Sequence, residues 1–126
     1  TILVSGGFDV FVTEVARRCG FSGHYSNRLK VSEDGFLTGE VIFPILGRTA
    51  KADILRAEAE AMNISLDETA SVGDGANDLE MIDAAGLGIA YRGKPVLREA
   101  ANASINHTNL ASILYFMGIP AAHFVT

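Results

Sequence analysis

"SVGDGANDLEMI", residues 71–82, decides the reading of this chain. Thr69 to Gly73 read as a short strand, the glycines on either side of Asp74 as a turn, and Asn77 as the cap of a short helix that stops at Gly86. Two carboxylates and an amide, Asp74, Asp78 and Asn77, thus fall on one strand-to-helix turn. So much negative charge in so small a space asks for a counter-charge.

The same alternation runs outward in both directions. Downstream, Leu87 to Tyr91 form a strand, Pro95 opens a helix near its first turn, and Ala103 to Ile105 give a brief strand. Asn109 then caps a last helix to about Met117, stopped by Gly118 and Pro120. Upstream, Thr49 is the expected N-cap of a helix from Ala50 to Met62, where Ile54, Leu55 and Met62 share a face. Ile2 to Val4 read as a buried strand; Phe8, Phe11, Val12, Val15, Ala16 and Cys19 recur at helical spacing up to Gly20. Between these two regions, Tyr25 to Val41 carry two strand-like runs around Glu33-Asp34-Gly35, the mark of a β-hairpin. Strands alternating with helices predict an α/β domain with a mostly parallel sheet, helices on both faces and a hairpin excursion. No repeat or linker breaks the chain, so no domain boundary is drawn within it.

Composition narrows the function. At 126 residues, 48% hydrophobic and 20% charged, the chain has the make-up of one packed domain. A formal charge of −5 without a Lys/Arg cluster argues against a nucleic-acid partner. No apolar run approaches the ~20 residues that span a bilayer, and the opening "TILVSGGF" lacks the order of a signal peptide. The single Cys19 fits a reducing compartment, and the cytoplasm is the expected location. "TILVS" opens without Met and runs directly into a strand, so the chain is expected to belong to a longer protein.

In open parallel sheets ligands gather at the carboxyl ends of the strands, which directs attention to the turns after Val4, Gly73 and Tyr91. Ser5-Gly6-Gly7 offers a hydroxyl and approachable backbone N–H groups for an anion, although a tight strand-to-helix turn explains the tripeptide alone. Lys51 lies in the first turn of its helix, where the dipole disfavours a cation, and on the side of Ile54 and Leu55. A negative group should therefore face it, unless its stem merely covers apolar surface. Asp74 suits Mg²⁺, which takes one or two carboxylates and fills its shell with water and phosphate. Asn77 and Asp78 have a plainer reading too, as helix cap and dipole complement. The spacing does not match a calcium loop. Arg48 reads as a solvated charge, Tyr91 to Pro95 as an edge of the same crevice, and Cys19 as core; His24, His107 and His123 show no ligand spacing.

Three pieces stand in order: "LVSGGF" at 3–8, "AKADIL" at 50–55 and "GDGANDLEMI" at 73–82. Together they resemble the second, third and fourth motifs of the haloacid dehalogenase-like hydrolases. "NRLKVSEDGFLTGEV" at 27–41 and "AGLGIAYRGKP" at 85–95 are similar to the phosphoserine phosphatase branch of that superfamily, and the likeness runs from about residue 2 to 118. It implies a three-layer Rossmann-like core and a Mg²⁺-dependent phosphatase acting on phosphoserine through an aspartyl-phosphate. By the same resemblance, Ser5 and the Gly6 amide hold the phosphoryl oxygens, Lys51 neutralises them and Asn77 contacts the phosphate. Asp74 binds Mg²⁺ directly, while Asp78 supports the metal or the lysine from behind.

One departure stands out. The family's first motif, D-x-D-x-[TV], supplies the nucleophilic aspartate and an acid/base aspartate, and it does not occur here. Asp9, Asp34, Asp53, Asp67 and Asp83 stand singly. The resemblance places that motif, its central strand and the cap upstream of Thr1, so this chain by itself is expected to be inactive. The sheet edges so exposed are expected to be covered by the missing segment or by a second copy in a homodimer. Two other readings stay open, a phosphatase or phosphotransferase for another small phosphomonoester and a non-catalytic phosphate- or metal-binding module.

Overall fold

The computed structural model describes residues 1–125. The chain forms two compact units, one of residues 1–47 and one from residue 48 onward.

The first unit contains β1 (Ile2–Phe8), α1 (Asp9–Cys19), β2 (Gly23–Val31) and β3 (Leu37–Ile42). β1 and β2 pair in parallel and β3 returns antiparallel along β2, giving the order β1-β2-β3. The expected hairpin is present, but its turn differs from a two-residue Asp-Gly turn. Gly35 N–H donates to the Ser32 carbonyl at 2.9 Å, and Gly35 itself takes φ +83°, while Glu33 and Asp34 keep negative φ. This is a tight turn followed by a left-handed residue, a position where glycine carries no Cβ penalty. α1 ends where expected: Gly20 N–H reaches the Arg17 carbonyl and Phe21 N–H that of Ala16, the paired bonds of a Schellman motif.

Two expectations for this unit are corrected. Ser5-Gly6-Gly7 is not a strand-to-helix turn, because β1 continues through it to Phe8 and α1 starts at Asp9. Between Val4↔Tyr25 and Phe8↔Asn27, β1 advances four residues while β2 advances two, so the tripeptide is a bulge in an extended strand. Asn27 explains why it is stable. Only 7% exposed, Asn27 donates through Nδ2 to the Gly6 carbonyl at 2.8 Å and accepts the Leu46 N–H at 2.7 Å. The bulge's orphaned carbonyl thus finds a buried partner. The helical face is also narrower than the spacing suggested. Val12 and Ala16 are buried, but Phe11, Val15 and Cys19 are exposed, since two parallel strands cover one i, i+4 stripe of the helix.

The second unit contains α2 (Ala50–Ala61), β4 (Ala70–Gly73), α3 (Leu79–Ala84), β5 (Leu87–Tyr91), α4 (Pro95–Ala100), β6 (Ala103–Ile105) and α5 (Ser112–Phe116). Its sheet is wholly parallel, in the order β4-β5-β6. Ile82 of α3, Ile89 and Ala90 of β5, Leu97 of α4 and Ile105 of β6 are among its buried residues. The continuous burial of Gly88, Ile89 and Ala90 marks β5 as the central strand. Ser71 Oγ donates to the Met81 carbonyl at 3.2 Å and ties β4 to α3. Strand boundaries in this unit follow the sequence pattern closely, and the α/β reading holds, with the strands divided between two three-stranded sheets. Thr49 does not cap α2: it is itself helical, at φ −83° and ψ −19°, and its side chain makes no capping bond. Among the described residues, no helix is long and apolar enough to cross a membrane.

Replacing Asn27 by Ala leaves the Gly6 carbonyl of the bulge and the Leu46 N–H without their buried partner. The stability of the first unit, followed by urea unfolding, should fall by about 2 kcal/mol; a change below about 0.5 kcal/mol would show that water replaces the side chain without cost.

Candidate functional site

β4 ends at Gly73, and the chain then makes a single 3₁₀ turn, Ala76–Asp78, before α3 begins. This turn leaves backbone N–H groups without helical partners, and one side chain answers them. Asp78 Oδ2 accepts the N–H of Asp74 at 3.0 Å and that of Gly75 at 3.1 Å. Its other oxygen, Oδ1, takes the ammonium of Lys51 at 2.5 Å. The Asp78 side chain is 4% exposed and that of Lys51 15%, so this is a buried, charge-assisted bond between α2 and the β4–α3 turn. It supplies the negative group that the position of Lys51 demanded.

The carboxyl group of Asp78 is under opposing influences. Burial pushes its pKa up; the hydrogen bond from Lys51, the two backbone N–H groups and the ammonium's charge pull it down, and the net result lies below the ordinary 3.8. The carboxylate stays ionised and Lys51 stays paired. Gly73 is required by the same arrangement, because a Cβ there would meet the Asp78 carboxyl, with Oδ2 at 2.7 Å. Asn77 lies exposed on the turn and makes no capping bond, and α3 starts instead after Asp78, whose carboxylate bonds the N–H groups of Asp74 and Gly75 and makes no side-chain cap to α3.

Asp74 differs in character. It is exposed at the carboxyl end of β4, and among the described residues nothing hydrogen-bonds to its carboxylate. Both oxygens of Asp78 are already engaged, whereas the Asp74 carboxylate has no partner among the described residues. Among the described residues no group of three His, Cys, Asp or Glu gathers around one point. One free carboxylate beside a glycine turn fits Mg²⁺, which completes its shell with phosphate and water, and does not fit a cation needing an all-protein cage. Arg48, read as solvated, approaches Glu80 at 3.9 Å on the exposed surface of this unit. The loop after β5 reaches the turn directly: Lys94 N–H donates to the Asp74 carbonyl at 3.1 Å.

In the first unit, Ser5 Oγ accepts the Gly7 N–H at 3.0 Å, which leaves the hydroxyl hydrogen to donate elsewhere. Gly6 is exposed, its carbonyl held by Asn27. Thr13 Oγ1 lies 3.1 Å from His24 Nε2 on the exposed side of α1, while His107 lines a separate concavity after β6 with Tyr115 and Phe116. Asn27 and the Lys94 amide are the site-supporting groups that sequence reasoning missed. An asparagine inside a strand-like run was the available signal for the first, since asparagine is depleted in strands; a main-chain donor leaves no trace in sequence.

The second unit is thus an α/β layer with a carboxylate turn at the end of its edge strand, backed by a largely buried lysine. Residues 24–117 match the haloacid dehalogenase-like hydrolase family, and the chain belongs to it. Its relatives narrow the class. It is 44% identical over 117 residues to a phosphoserine phosphatase of Mycobacterium tuberculosis, covering 93% of this chain and 28% of that protein. It is 43% identical over 115 residues to the phosphoserine phosphatase of Methanocaldococcus jannaschii, covering 91% of this chain and 54% of that one. Among solved structures, a phospho-aspartyl intermediate analogue of phosphoserine phosphatase superposes with TM-score 0.83 at 41% identity, over 94% of this chain and 56% of that one. A probable phosphoserine phosphatase from Vibrio cholerae gives 0.87 at 34%, over 93% and 36%. The chain thus spans between about a quarter and about half of the curated relatives it matches.

Breaking the buried pair from either side, by Lys51→Met or Asp78→Asn, should cost about 3 kcal/mol at neutral pH, because each leaves a charge without its partner. Since the folded carboxyl has the lower pKa, the stability it contributes is complete above the unfolded value near 3.8 and disappears as pH falls through the folded value. The advantage of the unsubstituted protein over Asp78→Asn in urea unfolding should therefore be constant above about pH 5 and shrink below about pH 4. An advantage unchanged down to pH 2 would contradict the pairing.

Proposed function

We propose that the protein carrying this chain is a Mg²⁺-dependent, cytoplasmic phosphoserine phosphatase, which hydrolyses O-phospho-L-serine to L-serine and phosphate. The observation that carries the reading is the division of labour on one turn. Asp78 is consumed in holding Lys51 and two backbone amides. Asp74 is left free at the strand end to meet a cation. Identity of 44% and 43% to named phosphoserine phosphatases supports the choice of substrate.

In this proposal an aspartate oxygen attacks phosphorus, the bond to the serine oxygen breaks, and that oxygen takes a proton as serine leaves. Water then attacks the aspartyl-phosphate, releasing phosphate and restoring the carboxylate. The D-x-D-x-[TV] motif that serves this attack in the family is absent from the 126 residues, so we assign the nucleophile to a part of the protein outside them. The chain's own residues bind and stabilise. Ser5 and the Gly6 amide donate to phosphoryl oxygens, Lys51 offsets the charge that develops on them, and Asn77 holds one in place. Asp74 would hold Mg²⁺, which when bound would supply Lewis-acid assistance to phosphoryl transfer. Asp78 keeps Lys51 and the Asp74 main chain in register.

Phosphate release from phosphoserine by the natural protein, compared with unrelated phosphomonoesters, tests the assignment. Asp74→Asn should lower kcat by about a hundredfold or more, and these 126 residues alone should show no turnover. Equal rates on unrelated phosphomonoesters would remove the substrate assignment; turnover by this chain alone that Asp74→Asn blocks would remove the assignment of the nucleophile.

A further inference from the structure

We infer that the loop joining β5 to α4 is a positioning element for Asp74, and that it acts through the backbone N–H of Lys94 and not through the lysine side chain. The ladder between β4 and β5 ends at the pair Gly73↔Ala90, so Asp74 lies one residue beyond the last sheet restraint. Both of its main-chain groups are nevertheless held. Its N–H is taken by Asp78 Oδ2 at 3.0 Å, and its carbonyl receives the Lys94 N–H at 3.1 Å. The carboxylate is the part of Asp74 left free, as a group that receives a ligand must be.

The donor itself is rigidly mounted. The Lys94 carbonyl accepts the N–H groups of Leu97 at 2.9 Å and Arg98 at 3.1 Å, opening α4, and Leu97 is fully buried in the core of the unit. On the other side, Arg92 N–H donates to the Ile105 carbonyl of β6 at 2.8 Å. Arg92 holds φ +47°, an uncommon conformation for a residue with a side chain, and its guanidinium lies 5.3 Å from the centre of the Tyr91 ring. Gly93 packs closely, since a Cβ there would lie 3.1 Å from the Ala90 Cβ. The loop therefore straps the carboxyl ends of all three strands together, and the strained residue within it is retained by bonds on both sides. A group fixed in this way holds its neighbour to the tolerance that metal and phosphoryl chemistry needs.

The inference rests on the reading of Asp74 as a metal ligand, and its test separates the two. Lys94 sits at φ −62° and ψ 155°, a conformation that proline adopts, and Pro95 already follows it. Lys94→Pro thus deletes that N–H and sets its ring Cδ against the Asp74 carbonyl, while Lys94→Ala removes the charge and keeps the N–H. Mn²⁺ binding to the natural protein, followed by electron paramagnetic resonance, should be unchanged by Lys94→Ala and weakened about fivefold or more by Lys94→Pro. The unfolding midpoint of Lys94→Pro should fall, because proline replaces a hydrogen-bonded N–H. Exchange of the Lys94 amide hydrogen in the unsubstituted protein gives a second reading. It should slow when Mg²⁺ is added, and the response should be absent in Asp74→Asn. Binding that depends on Asp74 but is indifferent to Lys94→Pro, or an amide that does not respond to Mg²⁺, overturns the strap alone. Binding that Asp74→Asn does not weaken overturns the metal reading of Asp74, and no Mn²⁺ binding at all overturns both.

Discussion

The second unit is organised by one buried carboxylate. Asp78 is 3% exposed, and burial by itself disfavours its charged form. Lys51 and the amides of Asp74 and Gly75 prevent this, and in doing so they fix the relation of α2 to the end of β4. The constraint reaches the sequence at Gly73, where any side chain would collide with the carboxyl group. It also explains a lysine at the wrong end of a helix dipole: the ion pair outweighs an interaction worth only about 0.3–1 kcal/mol.

The turn after β4 gives different surroundings to two aspartates that stand four positions apart. One is spent internally and gives a lysine of fixed direction, and the other remains exposed. Exchanging the two roles would leave a buried carboxylate unpaired, which is why they are not interchangeable. Bonds from the loop after β5 then limit where the exposed aspartate can point.

Much of this was legible in the sequence, and the exceptions have a common cause. Where side-chain pattern sets the structure, as in β5 at Leu87–Tyr91, β6 at Ala103–Ile105 and the Pro95 start of α4, reading and structure coincide. The need of Lys51 for a negative partner followed from its place in the helix, and Asp78 meets it. Where backbone groups decide, the pattern was silent. Ser5-Gly6-Gly7 looked like a turn because glycine permits one, yet the buried amide of Asn27 holds it as a bulge inside β1. Thr49 and Asn77 looked like helix caps by residue type, but Thr49 has a helical backbone and the N-cap position of α3 lies one residue beyond Asn77, at Asp78, with no side-chain cap at either helix. Phe11 and Val15 share the spacing of Val12 and Ala16, and only the width of the strand pair beneath α1 separates buried from exposed.

Lys51 and Asp78 act as one unit in this turn. A double-mutant cycle of Lys51→Met and Asp78→Asn, read by urea unfolding at pH 7, measures that directly. The coupling should be about 2 kcal/mol, with the double variant much less damaged than the sum of the singles. Single effects that add to within about 0.5 kcal/mol would contradict it.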